Sequence, residues 1–187
     1  MRVTREQAAT NRERVLDAAG TMFRTHGFDG VGVADIMKRA GLTHGGFYGH
    51  FASKDDLAAE ACERILTRGD WLERVTGTAD PSLGEFAHAY LSPQHRDHPG
   101  RGCLMAAVGS DVARQPRSLR RVFTDGLRAR VETLTAMVSG RSRAARREQA
   151  LATIAGLVGA LVLSRAVSDP ELSDEILEAA AATFSQP

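Results

Sequence analysis

The chain of 187 residues is 43% apolar and 25% charged, with a net charge of +1, which excludes a disordered polymer and a globally cationic protein, so any binding to an anionic partner must come from local charge. Two cysteines, Cys62 and Cys103, are too few for a disulfide framework. The longest apolar stretches fall far short of the roughly 18 residues needed to cross a bilayer, and the polar start MRVTREQAATNRERV has no apolar signal core, so a cytoplasmic chain with no membrane partner is expected.

Val15, Ala18, Ala19, Met22 and Phe23 recur at i, i+3, i+4, i+7 and i+8, one face of a helix. Thr10 with Glu13 forms a candidate capping box for its start, and Thr4 with Gln7 an earlier one; Gly27 is its expected stop. A second short stripe, Val33, Ile36, Met37 and Ala40, ends at Gly41, and a third short segment carries Phe47, Tyr48 and Phe51. Ser53 with Asp56 should cap a longer helix bearing Leu57, Ala58, Ala61, Cys62, Ile65 and Leu66. After the turn-like stretch 76–81 a helix should start at Ser82, and DHPGRG (97–102) marks a further break. Helices are expected over 103–114, 117–139, 144–167 and 171–184, punctuated by Pro116, Gly140 and Pro170. No alternating strand pattern and no internal repeat is visible. The expected fold class is all-α: an N-terminal helix-turn-helix module (1–52) and a C-terminal helical bundle (53–187), linked by a helix from about 53 to 75.

Segments two and three make a helix, a tight turn and another helix within about twenty residues, the helix-turn-helix arrangement. The stretch GLTHGGFYGHF (41–51) holds glycines at 45, 46 and 49, although Gly costs roughly 1 kcal/mol against Ala inside a helix. A close approach of a partner to the backbone would explain them. Gly41 suits a turn position with positive φ, and Thr43 is the expected N-cap of the second helix. Phe47 and Phe51, at i and i+4, should anchor that helix inward with Ile36 and Phe23, turning Gly45, Tyr48 and the edge of His44 outward. Residues 1–54 hold eight Lys/Arg and five Asp/Glu, an excess of 8 − 5 = 3 positive charges. Residues 114–147 hold ten Arg, which read as solvated helix faces.

The run VADIMKRAGLTHGGFYGHFASKDDLAAEA resembles the DNA-binding module of the TetR family of bacterial transcriptional regulators. Val33, Ala34, Ile36, Ala40, Gly41, Leu42, Thr43, Phe47, Tyr48, His50, Phe51, Ser53, Lys54, Asp55 and Leu57 stand at the positions of that family's pattern. The upstream run RVLDAAGTMFRTHGFDGVGV is similar to its first helix and following loop. The resemblance covers about residues 10–66. It implies that Thr43, Tyr48, His50 and Lys54 contact phosphate, and that His44 and Gly45, with Gly46 beside them, approach base edges of a double-stranded DNA operator. Two departures stand out. The family usually carries Thr or Ser where this chain has Gly32, and a longer side chain where it has Gly49, so readout should rest more on His44, Tyr48 and DNA shape.

For the C-terminal half the resemblance implies a small-molecule effector site and a homodimer. The segment EQALATIAGLVGALVLSRAV (148–167) is apolar nearly all round, as expected of a helix buried on several sides. It and the last helix are the candidate two-fold interface, through Leu157, Ala160, Leu161, Leu172, Ile176 and Ala180. Candidate effector-contacting residues are Trp71, Phe86, Tyr90, Cys103, Met105, Phe123 and Met137, a set suited to an apolar or aromatic ligand. Cys103, after Arg101 and Gly102 at an expected helix start, is also a candidate redox or electrophile sensor, since helix dipole and arginine would favour its thiolate. His95, His98 and Cys103 fit no structural zinc spacing, so neither metal nor cofactor is expected. A thiol hydrolase using Cys103 with His98 or His88 lacks a base-orienting acid and an oxyanion site. A protein-only helical adaptor is disfavoured by the helix-turn-helix residues. The expected function is therefore that of a ligand-responsive DNA-binding regulator, a repressor by the family's habit, and not an enzyme.

Overall fold

Thr4, not Thr10, opens the first helix: its hydroxyl accepts the Gln7 N–H at 3.1 Å. The structure, a computed structural model, describes residues 4–67 and 71–185, with the backbone alone at 71 and 72. Helix α1 (Arg5–His26) ends at Gly27, whose φ of 74° favours glycine. Helix α2 (Val33–Arg39) ends in a Schellman motif: Leu42 N–H reaches back to Met37 O at 2.9 Å and Gly41 N–H to Lys38 O at 3.0 Å, with Gly41 at φ 70°. A Cβ at Gly41 would also stand 2.6 Å from Arg14 Nη2, a mobile side-chain end that can move aside, so it is the backbone that favours glycine there.

The segment expected to be a second α-helix is instead a 3-10 helix over His44–Gly49. Its bonds close one residue early, Gly46 N–H to Thr43 O at 3.0 Å and His50 N–H to Phe47 O at 2.9 Å. Three glycines in six residues supply too little α-propensity to propagate the wider helix. Helix α3 (Lys54–Thr67) follows, with Ser53 Oγ accepting Asp56 N–H at 3.0 Å and Asp56 accepting Ala52 N–H at 3.2 Å.

Further along lie α4 (Trp71–Thr76), α5 (Leu83–Tyr90), α6 (Pro93–Asp97), a 3-10 turn at Pro99–Arg101, α7 (Leu104–Val112), α8 (Arg117–Met137), α9 (Arg143–Ala166) and α10 (Pro170–Phe184). Ser82 and Glu85 form the capping box of α5. The ends of the last four helices all fall within two residues of those expected, with α10 starting at Pro170 and α7 one residue after Cys103. The short α6, just before the expected break at 97–102, is held by Ser92, which accepts His95 N–H at 3.2 Å, and the 3-10 turn lies inside that break. Among the described residues there is no strand.

Two apolar cores result. The first joins α1, α2 and the 3-10 helix (Phe23, Ile36, Met37, Phe47, Phe51) to α3, α7 and α8 (Leu57, Leu104, Val108, Leu119), so packing runs across the expected boundary at 52/53. The second lies among α5, α8, α9 and α10, around Phe86, Leu134, Leu157, Leu161 and Leu177. Helix α9 is long and apolar enough, by length and composition, to cross a membrane, contrary to the expectation from apolar run length; 39% of that apolar window is buried against the rest of the chain.

Candidate nucleic-acid interface and effector cavity

Phe47 and Phe51 lock the 3-10 helix onto the first core. They are 1% and 2% exposed, with ring centroids 5.7 Å apart. Burying two such side chains contributes about 1.5–3 kcal/mol each, enough to hold a segment whose own helical propensity is poor. Tyr48 is turned the other way: it is 72% exposed, the most exposed large apolar side chain described, and its ring meets the edge of Phe47 at 5.2 Å. Thr43, His44, Gly45, Gly46 and Gly49 are exposed beside it, and His50 and Lys54 are half-buried at the flank.

An added Cβ at Gly45 or Gly49 would meet nothing within 4 Å, and one at Gly46 would make only ordinary contact, 3.7 Å from Met37. Internal packing therefore does not require these glycines. The Thr43 backbone takes the N-cap conformation (φ −79°, ψ 147°), but its hydroxyl makes no capping bond, which leaves it available to an outside partner. At Gly32 a side chain would begin 3.0 Å from the Asp35 carboxylate, so the site where the resembling family places a phosphate-binding hydroxyl is hemmed by a negative charge. Arg12 braces the module from behind: its guanidinium lies 4.8 Å over the Phe51 ring and pairs with Glu60 of α3. That brace was not read from the sequence, because it joins residues 48 positions apart.

Behind this module a cavity of about 720 Å³ opens between α1, α3, α5, the 94–103 segment, α7 and α8. Of the expected effector-contacting residues, Tyr90, Cys103 and Met105 line it. Phe86 is instead fully buried in the second core, Met137 packs against that core, and Phe123 packs against the first. The Trp71 side chain lies outside the described residues. The wall is less apolar than expected: Arg24, Arg64, Arg74, Arg101 and Arg130 line it, against Asp17 as the one acid among the described lining residues.

Two of these arginines tie the cavity wall to the N-terminal module and to the 3-10 turn. Arg64 of α3 pairs with Glu13 and Asp17 of α1. Arg24 of α1 donates to the Gly100 carbonyl from Nε at 3.0 Å and Nη2 at 2.6 Å.

Cys103 N-caps α7, and its backbone N–H donates to His95 Nε2 at 2.8 Å. His95 Nδ1 in turn donates to the Tyr90 carbonyl at 2.6 Å. A carbonyl can only accept, so His95 is the neutral Nδ1–H tautomer, and burial lowers its pKa below the usual histidine value. The Tyr90 hydroxyl is buried beside the Cys103 thiol; burial first, and that thiol second, raise its pKa well above that of an ordinary phenol. Burial also pushes the Cys62 thiol up to about 12. Among the described residues no cluster of three or more His, Cys, Asp or Glu could hold a metal.

The interface candidates divide. Leu157, Ala160 and Leu161 are 0%, 8% and 0% exposed and belong to the chain's own second core. Ile176 and Ala180 are half-buried and Leu172 is 42% exposed. The outer face of α9 instead presents Leu151, Val162 and Leu163, and a Cβ added at Gly159 would meet open space. A helix apolar all round does not disclose in its sequence which face the chain itself covers.

Residues 15–61 match the family model described as bacterial regulatory proteins, tetR family. The HTH-type transcriptional repressor KstR2 of Mycolicibacterium smegmatis is 33% identical over 101 residues, covering 50% of this chain and 48% of that protein. The chain thus spans about half the length of the curated relatives it matches. A crystal structure of E. coli NemR in its reduced form has a similar fold, with a TM-score of 0.74 at 22% identity over 93% of this chain and 94% of that one. A tetR-family transcriptional regulator from Agrobacterium tumefaciens gives the same TM-score at 18% identity over 96% of this chain and 100% of that one.

Proposed function

We infer our reading from one premise: through its N-terminal module and its fold the chain belongs to the tetR family of bacterial regulatory proteins, transcriptional regulators rather than enzymes. In that reading it is a cytoplasmic repressor that binds a pseudo-palindromic operator as a homodimer and is released by a small molecule in the cavity. One observation carries the DNA reading. Tyr48 stands 72% exposed on a 3-10 helix whose Phe47 is buried, as is Phe51 just beyond it, beside glycines that internal packing does not require. Exposed phenol, exposed glycine backbone and the flanking Lys54 are the groups a phosphate backbone and a major groove engage.

The homodimer reading is supported by the apolar outer face of α9, Leu151, Val162 and Leu163, continued by Leu172 of α10. A second copy related by a two-fold axis would cover it and present two 3-10 helices to half-sites about 34–36 Å apart or further. The release mechanism follows from the ties described above. A ligand that moves the 94–103 segment moves Gly100 and with it Arg24 of α1, and a coupling of about 1–3 kcal/mol would suffice to release DNA.

A second input is open to the same cavity. Cys103 lines it, so a thiol-reactive compound could act there in place of a reversible ligand.

Selection of bound duplexes from a random library tests the reading. Enrichment of an inverted repeat with two half-sites is expected. Enrichment of no sequence, or of a single unpaired half-site, would contradict the operator or the dimer.

A further inference from the structure

We propose that the start of α8 is a second DNA contact: Arg117, Arg120 and Arg121 hold the phosphate backbone of the duplex outside the base pairs that the 3-10 helix meets. The proposal rests on the reading of the chain as a DNA-binding regulator and enlarges the surface which that reading gives to DNA. It begins from charge. Leu119 is 1% exposed, and with the half-buried Val122 and Phe123 it turns inward to the first core. The three arginines are exposed, and at i, i+3 and i+4 they share one side of the helix.

Nothing in the fold neutralises them. The two acids between residues 111 and 128 are already taken, Asp111 by Arg114 and Asp125 by Arg128, and no acid stands in the first turn of α8. The side chains of Arg117, Arg120 and Arg121 make no ion pair or hydrogen bond among the described residues. Like charges one turn apart repel, and cations at the start of a helix oppose its dipole. The folded chain by itself gains nothing from this arrangement, whereas a polyanion outside it removes both penalties.

Position identifies the polyanion. Helix α8 runs alongside α3, and a Cβ on Gly126 would stand 2.7 Å from Leu66 Cδ1, so those two residues are level. Before that level α8 gives Leu119 to the first core; beyond it, Val131 and Leu134 belong to the second core, to which α3 gives no described residue. The two helices therefore run in the same direction, with the start of α8 beside the N-terminal half of α3. At about 1.5 Å per residue, Arg117 lies roughly 13 Å before the shared level and Lys54 roughly 18 Å, a difference of less than about one helical turn. Lys54 is the cation that the DNA reading puts on phosphate. Three unpaired arginines at almost the same height continue its positive edge sideways, along the path of the duplex.

The test measures binding of the full chain to two duplexes across a salt series: the sequence enriched from the random library in its shortest bound form, and the same sequence extended at each end by about ten base pairs, one turn of DNA. The parent chain should bind the extended duplex at least about tenfold tighter. Its slope of log affinity against log salt should steepen by about 2–3 for each chain bound, at roughly 0.9 for each phosphate neutralised. The triple variant Arg117→Gln, Arg120→Gln, Arg121→Gln should bind both duplexes alike, with the shallower slope. Arg141→Gln, Arg143→Gln and Arg147→Gln together remove the same charge where α8 gives way to α9 and should keep the parent's gain. No gain in the parent, a gain retained in the first variant, or an equal loss in the second would overturn the proposal. Binding of the parent but not the first variant to phosphatidylglycerol vesicles, without any gain on longer DNA, would overturn it in favour of a lipid surface. Preference for the short selected duplex over a scrambled one does not involve α8. Its absence would count against the regulator reading and take this proposal with it, whereas its persistence beside a failed gain would count against the α8 contact alone.

Discussion

Arg24, in the last turn of α1, holds the carbonyl of Gly100 with two nitrogens, at 3.0 and 2.6 Å. Gly100 sits in the 3-10 turn between α6 and α7, and its neighbours His98, Arg101, Gly102 and Cys103 line the cavity. The first helix of the DNA-binding module is thus bonded to a segment of the cavity wall.

That seam is tight enough to be tested by one methyl group. A Cβ at Gly100 would stand 2.7 Å from Thr25 Oγ1 and 3.1 Å from Thr21 Cγ2. Gly100→Ala should therefore lower unfolding free energy by about 1–3 kcal/mol. Gly49→Ala, where nothing lies within 4 Å, should be neutral or slightly stabilising. Urea unfolding of the two variants beside the parent chain measures both; equal stability at Gly100 would mean the seam yields freely.

The 3-10 helix carries one anchored ring, Phe47, and one exposed ring, Tyr48. Phe47→Ala should cost about 3–5 kcal/mol, since the ring is 1% exposed in the first core. Tyr48→Ala should leave the melting temperature within a degree or two yet weaken DNA binding. Circular dichroism melts and DNA titrations of both variants are the check. DNA binding intact in Tyr48→Ala would remove that side chain from the interface.

The two thiols should differ in kind. Cys62 is 1% exposed with its pKa pushed up to about 12, so it carries almost no thiolate at neutral pH. Cys103 is half-buried and lines the cavity. The aromatic disulfide of Ellman's assay should release one equivalent of dye from the native chain, two after unfolding, and none from native Cys103→Ser.

His95 sets a pH dependence of stability. Its folded-state pKa is lowered by burial, so the native chain keeps it neutral while the unfolded chain binds a proton at about pH 6.5 and below. Its contribution is complete above about pH 6.5 and is lost as pH falls from there through the folded value. His95→Gln should flatten unfolding free energy against pH in that window; an unchanged slope would show that other groups carry it.

Much of this was legible in the sequence for physical reasons. Helix ends were readable where a glycine or a cap imposes them, as at Gly27, Gly41 and Ser82. Phe47 and Phe51 were readable as anchors because the chain keeps an i, i+4 relation between them: Phe51, just past the 3-10 helix, donates its N–H to the Phe47 carbonyl at 3.1 Å. The choice of a 3-10 over an α-helix at His44–Gly49 was not, since it depends on glycine content balanced against packing. Contacts between distant residues, such as Arg12 with Phe51 or Arg24 with Gly100, leave no local pattern. The cavity's charge was missed for the same reason: its arginines come from α1, α3, α4, the Pro99–Arg101 turn and α8, and only folding gathers them.

The most direct test of the central claim is fluorescence anisotropy of the full chain on the duplex upstream of its own gene, across a salt series, with a scrambled duplex as control. The account predicts binding that prefers the upstream duplex and weakens linearly in log salt, with Lys54→Ala reducing the slope by about one. Equal, salt-insensitive affinity for both duplexes, unchanged in Lys54→Ala, would contradict it.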